Sequence, residues 1–157
     1  IETWPGEEAM DRCGKCSNCH DSCPTGALHN GRVISEKCIS YLTIEYSGVI
    51  PKRLAEKFDG WWYGCDICQM VCPWNKRAPG AGDERLTGKD EPADLLKIIE
   101  AEFSDYFAGR AVKRISYPMF RRNLLVAFWS IGEKEICKEI LMEEIPLVQE
   151  QAEELNL

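Results

Sequence analysis

Cys13-Gly-Lys-Cys16-Ser-Asn-Cys19-His-Asp-Ser-Cys23-Pro24 is the stretch on which the reading of this chain turns. Its spacing, C-x2-C-x2-C-x3-C-P, suits a 4Fe–4S cluster. Three thiolates set two residues apart wrap a loop around three iron corners and turn backbone N–H groups inward to the sulfides. The fourth cysteine opens a helix, points away and serves a second cluster. Pro24 suits the first turn of that helix, where a missing N–H costs nothing. Zinc is the plainer alternative, but zinc sites use paired C-x2-C units well separated in sequence.

A second stretch, Cys65-Asp-Ile-Cys68-Gln-Met-Val-Cys72-Pro73, repeats C-x2-C-x3-C-P without the leading cysteine. Trp62 stands in that place and cannot ligate iron, so another thiolate has to complete the set. Cys38 is the one candidate left in the region. The expected ligands are therefore Cys13, Cys16, Cys19 and Cys72 for one cluster, and Cys23, Cys38, Cys65 and Cys68 for the other. This is the crossed arrangement of two-cluster ferredoxins. His20 and His29 are read as non-ligands. Cys137 sits beside Ile136, Ile140 and Leu141 and reads as a buried structural thiol, with a redox role as the sharper alternative.

Composition bounds the rest. At 157 residues, with 45% hydrophobic and 29% charged, the chain has room for one compact domain or two small ones and is neither disordered nor fibrous. Nine cysteines are an odd count, and a secreted disulfide framework favours an even one, so a reducing cytoplasm is expected. No apolar run approaches the ~18 residues of a membrane span. The start, Ile-Glu-Thr-Trp-Pro-Gly-Glu-Glu, lacks the build of a signal peptide, and its missing initiator Met suggests a processed chain or a fragment. With a net charge of −7, any nucleic-acid contact has to come from a local basic patch. No Ser-His-Asp set, phosphate-cradling Gly loop or paired-carboxylate site stands out, so the chain reads as wiring for single electrons and not as a catalytic centre.

The expected fold is mostly α with a small β-hairpin: a dicluster ferredoxin-like domain over 1–77, a Gly/Pro-rich linker over 78–92 and a short HEAT-like helical repeat over 93–157. Asn30-Gly31 predicts a type I′ turn between the arms of a hairpin within 27–34. Ser35 is the expected N-cap of a helix carrying Cys38, Tyr41, Leu42 and Glu45, and Pro51 starts another near 51–58, stopped by Gly60. Further on, the pattern predicts an amphipathic helix over 94–103, one from Pro118 to Ile131 ended by Gly132, one over 133–143 and one from Pro146.

Taken together, these stretches are similar to the C-terminal part of the epoxyqueuosine reductases, cobalamin-dependent enzymes of tRNA queuosine synthesis. The likeness rests on Asp11-Arg-Cys-Gly-Lys-Cys16, Cys23-Pro-Thr-Gly-Ala-Leu28, Lys37-Cys-Ile-Ser-Tyr-Leu-Thr-Ile-Glu45 and Ile50-Pro51. It continues through Tyr63-Gly-Cys-Asp-Ile-Cys-Gln-Met-Val-Cys-Pro-Trp-Asn75 and Arg121-Arg-Asn-Leu-Leu125. The resemblance implies two 4Fe–4S clusters that pass electrons from a low-potential donor to a cobalamin, which removes the epoxide oxygen of epoxyqueuosine in a tRNA anticodon. The family's cobalamin-binding domain and its catalytic acid lie outside this sequence, so cobalamin-dependent catalysis is expected of the parent protein.

A basic patch agrees with a tRNA partner: Arg110, Lys113, Arg114, Arg121 and Arg122 fall between 110 and 122 with no acid among them. Residues 133–157, by contrast, carry eight acids against two lysines. The plainer reading of the patch is a solvated helix face, with Tyr117 and Phe120 in the core. Trp61-Trp62-Tyr63 either walls a cluster or stacks on cobalamin or a base. Two other functions compete. A free-standing dicluster ferredoxin would need only residues 1–75, and a reductive dehalogenase relative also feeds cobalamin from two clusters.

Overall fold

The computed structural model describes residues 13–29, 31–77 and 92–157. The N-terminal half is built from very short pieces: α1 (Asn18–Asp21), β1 (Leu28–His29), β2 (Arg32–Val33), α2 (Ile39–Ile44), α3 (Lys52–Ala55) and α4 (Ile67–Met70). The remainder is α5 (Pro92–Leu96), α6 (Glu100–Tyr106), α7 (Tyr117–Ser130), α8 (Lys134–Leu141) and α9 (Pro146–Leu155), with a 3-10 turn at Ala111–Arg114 before α7. This is the mostly helical fold with one small hairpin that the sequence led us to expect.

The hairpin pairs Leu28 with Val33 and His29 with Arg32. Gly31 has φ +72°, the left-handed conformation a two-residue primed turn demands. Asn30, the other half of that expected turn, lies outside the described residues, as does 78–91 of the expected linker.

α7 is the centre of the helical part. Ser116 caps it, its Oγ accepting from the Met119 N–H at 3.4 Å, and Pro118 occupies the first turn. Just past its end Gly132 takes φ +84°, which reverses the chain into α8. α8 and α9 both pack on α7, and α3 from the N-terminal half packs on it too. Almost every residue from Tyr117 to Phe128 is buried, so α7 is apolar nearly all round, as a helix wrapped on all sides must be. One hydrophobic core runs from Ile39, Leu42, Ile50 and Phe58 to Phe120, Leu124, Val148 and Leu155, across the sequence boundary at 78–92.

Three local expectations differ from what is observed. No helix opens at Cys23: Pro24 and Thr25 form a turn closed by Gly26 N–H donating to Cys23 O at 3.1 Å, and the helical turn of the motif, α1, lies before Cys23. The helix expected from Ser35 begins only after Cys38, whose φ −75° and ψ 121° are extended, and Ser35–Lys37 forms a separate 3-10 turn. The break puts a corner in the backbone at Cys38. The helix expected over 94–103 is likewise split into α5 and α6, with Ile99 extended between them. Opening the chain there frees two carbonyls for buried side chains of α7: Arg121 Nη1 donates to Leu96 O at 3.3 Å and Tyr117 Oη to Ile98 O at 3.2 Å. Both carbonyls, which the break leaves without helical partners, are thereby satisfied.

Candidate metal centre

The two cysteine motifs fold into the same local shape. α1 and α4 are each single turns, entered at Ser17 (φ −119°, ψ 6°) and Asp66 (φ −113°, ψ 13°). They leave at Ser22 (φ −88°, ψ −9°) and Val71 (φ −84°, ψ −9°). Asp21 N–H donates to Ser17 O as Met70 N–H does to Asp66 O, at 3.0 and 2.8 Å. Cys23 N–H reaches His20 O at 3.4 Å, and Cys72 N–H reaches Gln69 O at 3.2 Å. α1 and α4 pack against each other, so the molecule carries one motif twice, face to face.

Between them, Cys23, Cys38, Cys65 and Cys68 line a single cavity of about 50 Å³ whose other walls are Pro24, Thr25, Ala27, Leu28, Val33, Ile39 and Ile67. These are the four residues of the expected second ligand set. Their mutual influence is visible in their acidities. Burial pushes the Cys65 thiol up, and the neighbouring Cys38, Cys68 and Cys23 push it further. Cys68 is raised in the same way, by burial first and then by Cys38 and Cys23. Cys23 goes the other way: burial, which alone would raise it, is outweighed by hydrogen bonds that favour the thiolate. Ala27 N–H donates to Cys23 Sγ at 3.3 Å, and Thr25 Oγ1 lies 3.6 Å from the same sulfur.

The donor chemistry of this cavity is all sulfur, inside apolar walls. Among the described residues no three His, Cys, Asp or Glu side chains converge on a point that would hold a single ion. A 4Fe–4S cluster asks for something else, four thiolates spread over four iron corners, and the residues present fit that group. Of the other expected set, Cys19 lies on α1 and Cys72 at the end of α4, the two turns that pack together. Cys13 and Cys16 are exposed at the edge, joined through the Cys16 N–H to Cys13 O bond at 2.9 Å.

Trp62, which occupies the place of the absent cysteine, turns into the helical part. Its ring lies 5.7 Å from Phe120 and 6.4 Å from Phe107. Tyr63 follows the same direction, Oη donating to Ala111 O at 2.5 Å. Trp61, Trp62 and Tyr63 also line an open groove of about 350 Å³ with Asp59, Gly60 and Val112.

The expected basic patch divides in two. Arg110, Lys113 and Arg114 are exposed on and beside the 3-10 turn, Arg114 in an ion pair with Glu45. Arg121 and Arg122 are not surface residues: they are 1% and 0% exposed, and as RNA contacts they are corrected here. Arg121 pairs with Glu143 and Leu96 O. Arg122 donates to Leu42 O at 2.9 Å, Tyr46 O at 2.7 Å and Gly48 O at 2.5 Å. Burial lowers its pKa to about 10. Helical periodicity alone puts such residues on a face. The signal missed was a charged pair inside the run Met-Phe-Arg-Arg-Asn-Leu-Leu-Val, where apolar neighbours on both sides imply burial with partners.

Cys137 is 1% exposed, in the core as expected, and burial raises its thiol to about 11. Among the described residues no helix is long and apolar enough to cross a membrane.

Residues 12–75 match the family described as 4Fe-4S double cluster binding domain. An epoxyqueuosine reductase of Francisella cf. novicida (strain Fx1) is 45% identical over 124 residues, 75% of this chain and 34% of that protein. One from Vibrio cholerae is 43% identical over 127 residues, 77% of this chain and 34% of its own length. A solved epoxyqueuosine reductase with an epoxyqueuosine-modified tRNA-Tyr stem loop superposes with a TM-score of 0.78 at 29% identity, covering 92% of this chain and 41% of that one. The chain thus spans about a third of the length of these curated relatives. By sequence and by structure, this chain belongs to the epoxyqueuosine reductase family and carries a 4Fe-4S double cluster domain.

Proposed function

We propose that this chain is the electron-relay portion of an epoxyqueuosine reductase, feeding a cobalamin held by a separate domain that reduces epoxyqueuosine in tRNA to queuosine, in the cytoplasm. The observation that carries the reading is the single apolar cavity lined by Cys23, Cys38, Cys65 and Cys68, between two copies of one cysteine motif. When bound, 4Fe–4S clusters supply one-electron transfer at low potential. The chain's own residues do the rest. Cys13, Cys16, Cys19 and Cys72 hold one cluster and Cys23, Cys38, Cys65 and Cys68 the other. Ala27 N–H donates to the Cys23 sulfur and the Thr25 hydroxyl lies beside it, which tunes the ligand. Pro24, Leu28, Val33, Ile39 and Ile67 keep water from the site.

The tRNA-facing surface in this reading is the exposed trio Arg110, Lys113 and Arg114. The test is iron, acid-labile sulfide and zinc per chain after anaerobic purification, followed by reductive titration. About eight iron and eight sulfide, and two one-electron reductions, support the relay. Zinc without sulfide overturns it.

A further inference from the structure

We infer that Arg122, Asn123 and Thr43 are positioning residues for the second cluster, holding Cys38 and Cys65 in place from the helical part of the chain. The need for them follows from Trp62. In the first motif the leading Cys13 comes with its own loop, whereas in the second that ligand has been replaced by one recruited from a distance, Cys38. A recruited ligand lacks the local loop that aligns the others, so its backbone has to be fixed by something else.

The structure supplies it. α2 begins directly after Cys38, with Leu42 N–H donating to Cys38 O at 2.9 Å. The other end of this six-residue helix is gripped from α7. Arg122 Nη2 donates to Leu42 O at 2.9 Å, and Asn123 Nδ2 to Thr43 O at 2.7 Å. Arg122 also donates to Tyr46 O and Gly48 O, and through Nη2 and Nε to Asn123 Oδ1 at 2.7 and 3.2 Å. Thr43 then passes the hold to the second motif, its Oγ1 accepting from Gly64 N–H, the residue before Cys65, at 3.0 Å. Arg122, Asn123 and Thr43 are all 0% exposed. One guanidinium, one amide and one hydroxyl thereby tie the backbone beside two ligands of the second set to a single rigid helix. Among the described residues no such bond runs from the helical part to Cys16 or Cys19.

The asymmetry is the test, and it rests on the ligand sets proposed above. The protein and its Thr43→Val, Asn123→Leu and Arg122→Gln variants are reconstituted anaerobically. Iron and sulfide per chain, the EPR spectrum of the reduced protein and the far-UV circular dichroism are recorded. Cys38→Ala and Cys16→Ala provide reference spectra, and Gln151→Leu serves as a buried polar control outside the network. The expected result is a fall from about eight iron to about four in Thr43→Val and Asn123→Leu, with helical content kept and a remaining EPR signal that matches Cys38→Ala. Gln151→Leu keeps both signals. Unchanged iron and spectra in Thr43→Val and Asn123→Leu overturn the inference, as does loss of both clusters in step with loss of helix. Fewer than eight iron in the unsubstituted protein overturns the ligand reading instead, so the two failures are distinct.

Discussion

Gln151 and Ile50, 101 residues apart, exchange a reciprocal pair of hydrogen bonds: Ile50 N–H donates to Gln151 Oε1 at 2.6 Å, and Gln151 Nε2 donates to Ile50 O at 2.9 Å. Both residues are 0% exposed. A side-chain amide here stands in for a strand neighbour, and three residues further along α9 Glu154 accepts the Lys52 N–H at the start of α3. Gln151→Leu leaves a buried N–H and a buried C=O without partners. Each orphaned group costs roughly 1–3 kcal/mol, so a loss of about 2–6 kcal/mol is expected in chemical denaturation. A change below about 0.5 kcal/mol would mean that water takes over both bonds.

Removing the metal separates the two halves of the chain. α1, α3 and α4 are single turns and the strands are two residues long, far below the length at which isolated elements persist. Chelation or oxidative loss of iron and sulfide is expected to abolish amide protection in 13–29 and 65–77 while α7 and α9 keep theirs. Hydrogen exchange on matched samples reads this out, and retained protection at 65–77 would show that the motif folds without metal.

Charge reversal separates the surface cations from the buried ones. Arg110→Glu with Lys113→Glu is expected to weaken binding of an anticodon stem loop several-fold and to flatten its salt dependence, with the melting temperature unchanged. Arg121→Glu is expected instead to unfold the protein, since its buried guanidinium, paired with Glu143 at the edge of the core, would be replaced by a buried carboxylate facing that same acid. Equal effects of the two on binding at equal stability would return Arg121 to the surface.

Cys137 sets an alkaline limit. Its folded pKa of about 11 stands above the ordinary thiol value, so the native state holds its proton longer than the unfolded chain. Its contribution to stability is full below the unfolded pKa and is lost as pH rises toward 11. Denaturation between pH 8 and 11 is expected to show a stability decline that is shallower in Cys137→Ala, and iodoacetamide is expected to label Cys137 only on unfolding. Rapid labelling of native protein would place the thiol outside the core.

Much of this was legible in the residues, for identifiable reasons. Ser116, Pro118 and Gly132 mark the ends of α7 because caps and turns are local chemistry. The cysteine spacings are legible because a cluster constrains the chain over a few residues. Cys38 could be paired with Cys65 and Cys68 by elimination. What was not legible depends on contacts far apart in sequence. The split between α5 and α6 answers to Tyr117 and Arg121, and the late start of α2 places the corner at Cys38. The burial of Arg122 answers to Leu42, Tyr46 and Gly48, which no window around position 122 contains. Thr25 escaped notice because a threonine two residues after a cysteine carries no pattern of its own.

The grip of α7 and α9 on residues 42–52 also bears on the order of synthesis. All eight cysteines between positions 13 and 72 leave the ribosome before Arg122 and Asn123 do. Domains fold from the N-terminus as they emerge, but here the earlier half waits for the later one to complete its backbone. Thiols made early and buried late stay open to oxidation meanwhile. Assembly of the metal sites is therefore expected to wait for translation of α7, and loading is best timed after Arg122 and Asn123 have emerged.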